Sequence, residues 1–283
     1  MVLYSRHNLF APGRWPGLFS ELHSALGALW YSRTHGALGL RIHFDAPNYL
    51  DPDHGDNWWR YYFEPDTAWF GPLPKPPVPE VHLTGAIARY GKYWGFGHLV
   101  YGSTPFLYPK TYGLPRGSLA DLVRQHVHVR PEIRQRVESF VQQHFAPASF
   151  VVGVHYRGTD TARHYPYYHV AYEAFALEVE RVLPPGVDTR VFVATDEQAF
   201  LDFAQRTWPG RALCWAESPR VRREEPALHL NTSLGVSNYQ KGESALIDCL
   251  LLAACSYLVK GRSNLSDAAL VFNPSLPYSF CVC

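Results

Sequence analysis

The sequence predicts an α/β fold whose C-terminal half is a doubly wound parallel sheet. Three observations carry that prediction. Residues 150–154 form an apolar run of strand length, rich in Val and without polar alternation, as expected of a strand covered on both faces. Beyond Pro147, strand-like and helix-like segments alternate regularly. Several of those strands run into polar residues at their carboxyl ends, where open α/β sheets bind ligands.

The elements follow in order. Residues 16–34 read as a helix: Leu18, Phe19, Leu22, Leu26, Leu29 and Trp30 recur at three-to-four spacing, Pro16 suits a first turn and Gly36 a stop. Leu40, Ile42 and Phe44 then alternate with Arg41, His43 and Asp45, the pattern of a half-buried strand. Residues 46–56 have loop composition and residues 57–65 are dense in aromatics. The proline-rich stretch 71–79 must be extended or turning and reads as a surface crossover. Residues 90–101, rich in Gly and aromatics, resist assignment. Ser118 suits the N-cap of a helix over 119–128, and Pro131 the first turn of a helix reaching about 145, with Ile133, Val137, Phe140 and Val141 on one face. After the strand that opens at 150 come a helix over 168–183, a strand over 190–194, a helix over 197–207 and a short strand over 212–215. A helix over 243–255, a strand over 257–260 and a helix from Ser263 complete the pattern. The change of pattern near 147 divides the chain into domains 1–146 and 147–283.

Composition narrows the function classes. At 283 residues with 47% hydrophobic and 15% aromatic residues, the chain can build a sizeable core, and disorder is excluded. The aromatics suit stacking on sugars or bases and suit a core equally. A net charge of +1 leaves no electrostatic footprint for nucleic acid or an anionic membrane. The densest basic run, Arg220, Arg222 and Arg223, is followed by Glu224 and Glu225 and reads as a solvated loop. The 5 cysteines include no C-x-x-C pair, so no disulfide framework is expected and a reducing cytoplasm is the default. No signal peptide is legible at the start, and the longest apolar stretch, 245–259, is too short to span a bilayer and contains Asp248.

The familiar phosphate loops are missing. There is no G-x-x-x-x-G-K-[ST], and Val100 stands where the third glycine of a G-x-G-x-x-G begun at Gly95 would be. There is no G-x-S-x-G either. Asp51-Pro52-Asp53 is a D-x-D of the kind that holds a divalent cation in metal-dependent glycosyltransferases, but it is equally a turn sequence and is read as a turn. His126 and His128 at i, i+2 on a helix would not face one site. No metal ligands are assigned.

The strongest constellation is His155-Tyr156-Arg157-Gly158-Thr159-Asp160. The Arg157 guanidinium offers a planar fork for phosphate oxygens and can stabilise a departing diphosphate in place of a metal. Gly158 lets the backbone turn tightly, and Asp160 can orient Arg157 or accept from a sugar hydroxyl. A structural Arg–Asp pair would account for the same residues. Two further strand ends strengthen the site: Thr195-Asp196-Glu197, and Gly261-Arg262-Ser263-Asn264, which opens a helix suited to phosphate. Asp196 and Ser263 also suit helix N-caps.

In order and spacing, His155-x-Arg157-Gly158-Thr159-Asp160, Ala194-Thr195-Asp196-Glu197 and Ser263-Asn264-Leu265-Ser266 resemble the motif set of the fucosyltransferases related to α-1,6- and protein O-fucosyltransferases, including the rhizobial nodulation enzymes. The resemblance is clearest over residues 150–272 and thinner in the first half, at 17–20 and 58–65. It implies a GT-B architecture of two facing Rossmann-like domains, with the donor in the C-terminal domain and the acceptor on the N-terminal side. It also implies inverting, metal-independent transfer of fucose from GDP-fucose to a glycan or glycoconjugate, with no cofactor. Carried over by position, Arg157 would hold the β-phosphate, His155 would lie near the guanosine, Asp196 and Asp248 would contact the nucleoside, and Ser263 and Asn264 would bind phosphates. Gly158 and Thr195 would line the same pocket. The α-1,6 enzymes carry a second Arg where Gly158 stands and a Lys where Thr161 stands, so the linkage is left open. Candidates for the base that accepts the acceptor's proton are Asp160, His164, Glu64 and Asp45; His164 has a suitable unperturbed pKa and, with Arg157 and Asp160, makes up the catalytic set. A GT-B transferase for another nucleotide-sugar, and a non-catalytic nucleotide or glycan binder on the same fold, remain alternatives.

Overall fold

A computed structural model describes residues 2–5, 17–34, 36–71, 81–82, 116–159 and 170–281. The chain divides into two compact units, Met1–Arg130 and Pro131–Cys283. The pattern change at 146/147 falls inside the second.

In the first unit, β1 (Val2–Ser5), α1 (Leu18–Thr34) and β2 (Gly39–His43) form a strand–helix–strand unit with parallel strands. The predicted helix and second strand are present; β1, four residues long, was not legible. Leu18, Phe19, Leu22, Leu26 and Leu29 are buried, as their spacing requires. The aromatic block becomes α2 (Trp59–Tyr62) and β3 (Phe63–Glu64), followed by β4 (Thr67–Trp69). Trp58, Trp59, Tyr62 and Phe63 are core, with Phe44 packed 4.8 Å from Trp58. Buried Asn57 fixes this arrangement: its Oδ1 accepts from the Phe44 and Trp59 N–H groups at 2.9 and 3.2 Å, and its Nδ2 donates to Ile42 O at 2.9 Å. With β5 (Val81–His82) the sheet order is β4-β2-β1-β5, β4 being antiparallel.

The D-x-D is a turn. Asp51 Oδ1 accepts from the Asp53 N–H at 3.3 Å and caps a short 3-10 turn, which the Tyr61 hydroxyl pins by donating to Asp51 O at 2.9 Å. Helix α3 (Arg116–His126) starts before Ser118, which therefore lies in its first turn rather than at its cap. His126 closes that helix, whereas His128 belongs to β6 (His128–Val129), paired antiparallel with β3. Most of the proline-rich stretch and all of 90–101 lie outside the described residues.

The second unit carries the predicted parallel sheet. Helix α4 (Pro131–Phe140) runs on into a π turn, Val141–Phe145, and places Phe140 and Phe145 against Phe192 at 5.8 and 5.6 Å. Then follow β7 (Phe150–Tyr156), α5 (Tyr172–Val182), β8 (Thr189–Thr195), α6 (Gln198–Thr207), β9 (Ala212–Leu213), α7 (Asn238–Ala253), β10 (Tyr257–Lys260), α8 (Asn264–Phe272) and β11 (Tyr278–Phe280). Helix α7 begins five residues before the predicted start, capped by Ser237 in a reciprocal capping box with Gln240. The edge strand β11 was not predicted.

The strand order is β11-β10-β7-β8-β9, all parallel. Val152, Val154, Tyr156, Val191 and Val193 cluster with Phe175, Val179, Phe200 and Leu201 of α5 and α6. On the opposite face, a Cβ at Gly153 would stand 2.9 Å from Cys255 Sγ and 3.0 Å from a Leu252 methyl, so the glycine lets the end of α7 approach the sheet. Both faces are therefore covered, which is why the run at 150 lacks alternation. Among the described residues no helix is long and apolar enough to cross a membrane.

Register aligns Phe280, Lys260, His155 and Ala194 across four strands. The Lys260 side chain is 0% exposed; its Nζ donates to Asp267 Oδ1 at 2.6 Å and lies 4.9 Å from the Phe280 ring centre. Breaking a buried pair leaves an uncompensated charge, at a cost of about 3–5 kcal/mol. Asp267→Ala should therefore lower the urea midpoint by that equivalent, whereas the Lys260→Met/Asp267→Leu double variant should recover most of it. Equal losses in both would show that the ion pair contributes nothing of its own.

Candidate active site

Chain order fixes where a site forms. From β7 the sheet grows through β8 to β9 in one direction, and β10 and β11 add on the other side, so the topological switch lies between β7 and β10. His155 and Arg157 leave β7 there, Ser263 and Asn264 follow β10, and Thr195-Asp196-Glu197 leave the adjacent β8. The Gly261 N–H donates to His155 O at 3.3 Å, extending the β7–β10 pairing to the lip of the crevice.

The end of β7 is held by β8. Asp196 Oδ1 accepts the Gly158 N–H at 3.1 Å and its Oδ2 accepts the Thr159 hydroxyl at 2.6 Å. Asp196 thus serves the neighbouring strand end rather than capping α6, whose N-cap is Glu197, with no side-chain cap bond. The Thr195 hydroxyl is also used internally, accepting from the Glu197 N–H at 3.2 Å.

Glu197 is 1% exposed by its side chain and fully engaged. Its Oε1 accepts from the Tyr172 hydroxyl at 2.6 Å and from Arg223 Nε at 3.0 Å, while Arg223 also donates to the Tyr172 oxygen at 3.0 Å. The Glu197 carboxylate fills the space that a Cβ on Gly158 would enter, and Tyr156 stands 2.6 Å away on the same side. A side chain at 158 would therefore have to displace the Glu197 carboxylate. The basic run is an exposed loop as expected, but two of its arginines have defined partners: Arg223 binds Glu197, and Arg220 donates to Ser218 O and Trp215 O at 2.9 and 3.2 Å. Arg222, Arg223 and Glu224 are all exposed, and the Arg222 N–H donates to Glu225 at 2.9 Å.

At this site, buried His155 and Asp248 each keep a side-chain atom without a hydrogen-bond partner. His155 is 4% exposed and its Nδ1 has no hydrogen-bond partner; burial, with Arg157 and Lys260 nearby, pushes its pKa down to about 3, so the ring is neutral. Asp248 on α7 is 6% exposed, and its Oδ2 accepts the Ser218 hydroxyl at 2.7 Å while Oδ1 has no partner. Burial pushes this carboxyl up to about 7 against the opposing pull of Ser218 and Arg220. The next residue, Cys249, contacts Leu265 O in the first turn of α8 at 3.5 Å. That turn is capped by Ser263, whose oxygen accepts from the Leu265 N–H at 3.3 Å, with Asn264 the first residue of the helix. Backbone N–H groups at such a helix start favour an anion.

Of the predicted site residues, His155, Arg157, Gly158, Thr195, Asp196, Asp248, Ser263 and Asn264 belong to this one unit. Asp160 and His164 lie outside the described residues. Asp45 and Glu64 belong to the first unit, where Glu64 pairs with Arg130 at 3.3 Å. Sequence reasoning missed Tyr172, Ser218 and Arg223, as well as the buried role of Glu197.

Comparison with known proteins places this geometry. Residues 119–272, more than half of the 283-residue chain, match the family model described as nodulation protein Z (NodZ). Nodulation protein Z of Bradyrhizobium diazoefficiens is 28% identical over 139 residues, covering 46% of this chain and 36% of the relative. The match thus spans little more than a third of that curated relative. A crystal structure of NodZ α-1,6-fucosyltransferase with GDP superposes with a TM-score of 0.57 at 18% identity, over 96% of this chain and 92% of that one. An Arabidopsis thaliana FUT1 variant in complex with GDP superposes with a TM-score of 0.52 at 12% identity, over 99% of this chain and 69% of that one. The expected α/β, GT-B fold class is borne out.

The packing at Gly158 is directly testable. Overpacking costs about 1–3 kcal/mol, so Gly158→Ala should lose about that much in chemical denaturation. Combined with Glu197→Ala the loss should fall short of the sum of the single losses, since the second change opens the space. Strict additivity would show that the two side chains do not meet.

Proposed function

Because the chain belongs to the nodulation protein Z family, we propose that it is an inverting, metal-independent glycosyltransferase that moves fucose from GDP-fucose to a hydroxyl of a glycan or glycoconjugate. The observation that carries the proposal is an arginine-bearing strand end and a helix start suited to a diphosphate at one switch point, in a unit that also holds a buried, half-satisfied carboxylate suited to a base. Fold and family also support the donor, since a NodZ structure of the same fold was crystallised with GDP.

In this reading the acceptor oxygen attacks the anomeric carbon from the face opposite the diphosphate. The bond to the diphosphate oxygen breaks as the new C–O bond forms, and GDP departs with the electron pair. Arg157 and the N–H groups at the start of α8, with Ser263 and Asn264, stabilise the charge developing on the phosphates. Asp248 Oδ1 accepts from the donor edge of guanine. His155, neutral at working pH, offers its ring nitrogen to the nucleoside as a fixed hydrogen-bonding group rather than a proton shuttle. The acceptor's proton goes to a base for which His164 and Asp160 are the candidates. No cofactor takes part. The near-neutral charge and the free thiols of Cys214, Cys249, Cys255 and Cys281 support a cytoplasmic protein without a nucleic-acid partner.

Arg157→Ala should cut transfer by about 10²–10³-fold or more, with circular dichroism and melting close to wild type. EDTA should leave the rate unchanged; a loss that manganese restores would contradict the metal-independent reading. A melting-temperature panel of GDP, UDP, ADP and CMP should show stabilisation by GDP alone. Stabilisation by another nucleotide would favour a different donor, and GDP binding without transfer to any glycan pool would favour a non-catalytic binder.

The Asp248 carboxyl predicts a pH dependence. Its folded pKa, about 7, lies above its unfolded value of 3.8, so between the two the folded chain holds a proton that the unfolded chain releases. Its contribution to the stability of the free protein is therefore present below the lower value and lost as pH rises through about 7. Guanine needs the ionised acceptor, so GDP affinity should move the opposite way and rise between pH 6 and 8. Titration calorimetry at both pH values checks this, and Asp248→Asn should remove the pH dependence along with most of the affinity.

A further inference from the structure

We propose that Arg223 is a positioning residue for the Arg157-Gly158-Thr159 turn, acting through the buried carboxylate of Glu197. The inference rests on the nucleotide-site reading above. Nothing in the sequence links residues 157 and 223; the structure joins them in two steps. Gly158 packs directly on the Glu197 carboxylate, so the path of the chain just after Arg157 follows where that carboxylate sits. Glu197 is itself fixed by Arg223 and by the Tyr172 hydroxyl, and the Arg223 guanidinium lies over the Tyr172 ring, 5.6 Å from its centre.

The segment carrying Arg223 is anchored at the same strand end. The Val221 N–H donates to Asp196 O at 2.9 Å, and Val221 O accepts from the Gln198 N–H at 3.1 Å. The backbone around 221 therefore straddles the Asp196-Glu197 dipeptide. One carboxylate of that dipeptide, Asp196, binds the turn from its N–H and hydroxyl side. The other, Glu197, supports it at Gly158 Cα, and that support is a buried carboxylate paired with the Arg223 guanidinium. Arg223 makes that pair from a position where its own side chain is 44% exposed. An exposed arginine is thus tied to the geometry of the phosphate end of the site, while Ser218, on the same segment, binds Asp248 at the base end.

A positioning role has a signature that a general structural role lacks: it should act on the phosphates and spare the base. GDP and guanosine are titrated separately against wild type, Arg223→Gln, Arg223→Lys and Glu197→Gln. A misplacement of about 1 Å can cost on the order of 100-fold, so Arg223→Gln should weaken GDP by about tenfold or more and leave guanosine unchanged. Arg223→Lys should recover part of the loss, and millimolar guanidinium should restore GDP affinity to Arg223→Gly. Glu197→Gln should reproduce the Arg223→Gln effect; unchanged or tighter GDP binding would instead make Arg223 a direct phosphate ligand and overturn the inference. Equal GDP affinity in wild type and Arg223→Gln would also overturn it. If Arg223→Gln does not fold, Glu197→Gln/Arg223→Gln, which leaves no unpaired buried charge, replaces it with the same expectation. Wild type that fails to bind GDP would refute the nucleotide-site reading itself.

Discussion

The Asp196 carboxylate is the interaction on which the candidate site depends. Its two oxygens hold the N–H of Gly158 and the hydroxyl of Thr159, so the end of β7 is fastened to the end of β8 immediately after Arg157. Parallel strands give the sheet, but pairing of the main chains ends at Tyr156 and Thr195. Beyond that point the chain needs another partner, and a charge-assisted hydrogen bond is roughly twice as strong as a neutral one. Glu197 supports the turn from the next position, so two consecutive acidic residues define it from two directions.

Around this fastening, the site is built on burial. His155, Lys260 and Asp248 are all buried, and only one of the three is fully matched. Lys260 is matched by Asp267 and the Phe280 ring. His155 and Asp248 each keep one atom without a partner, and burial drives each toward its neutral form. Buried polar atoms without partners are costly, which is a physical reason to associate these two with a ligand rather than with the core.

Much of this was legible in the sequence because both faces of β7 are covered. A run such as 150–154, apolar at every position and of strand length, is what a strand covered on both faces requires, and the polar residues that follow mark the carboxyl end. The α7 start was placed five residues late, although Ser237 and Gln240 form the S-x-x-Q signature that marks it. Strands β1 and β11, of four and three residues, were not predicted. Asp196 was visible as a candidate, but not its partners Gly158 and Thr159, since those depend on register between strands. Arg223 was hidden for a different reason. A basic run followed by acids has the composition of a solvated loop, and only the structure shows that Arg223 pairs with a buried carboxylate. Asp160 and His164 were legible as candidates and keep that standing, outside the described residues.

Whether this unit holds GDP-fucose for transfer can be read by incubating the protein with GDP-β-L-fucose and a glycan pool and following the anomeric proton by NMR. GDP should be released and an α-linked fucose should appear, inverted relative to the donor. A β-linked product, or a donor left intact while another nucleotide-sugar is consumed, would contradict inverting transfer of fucose.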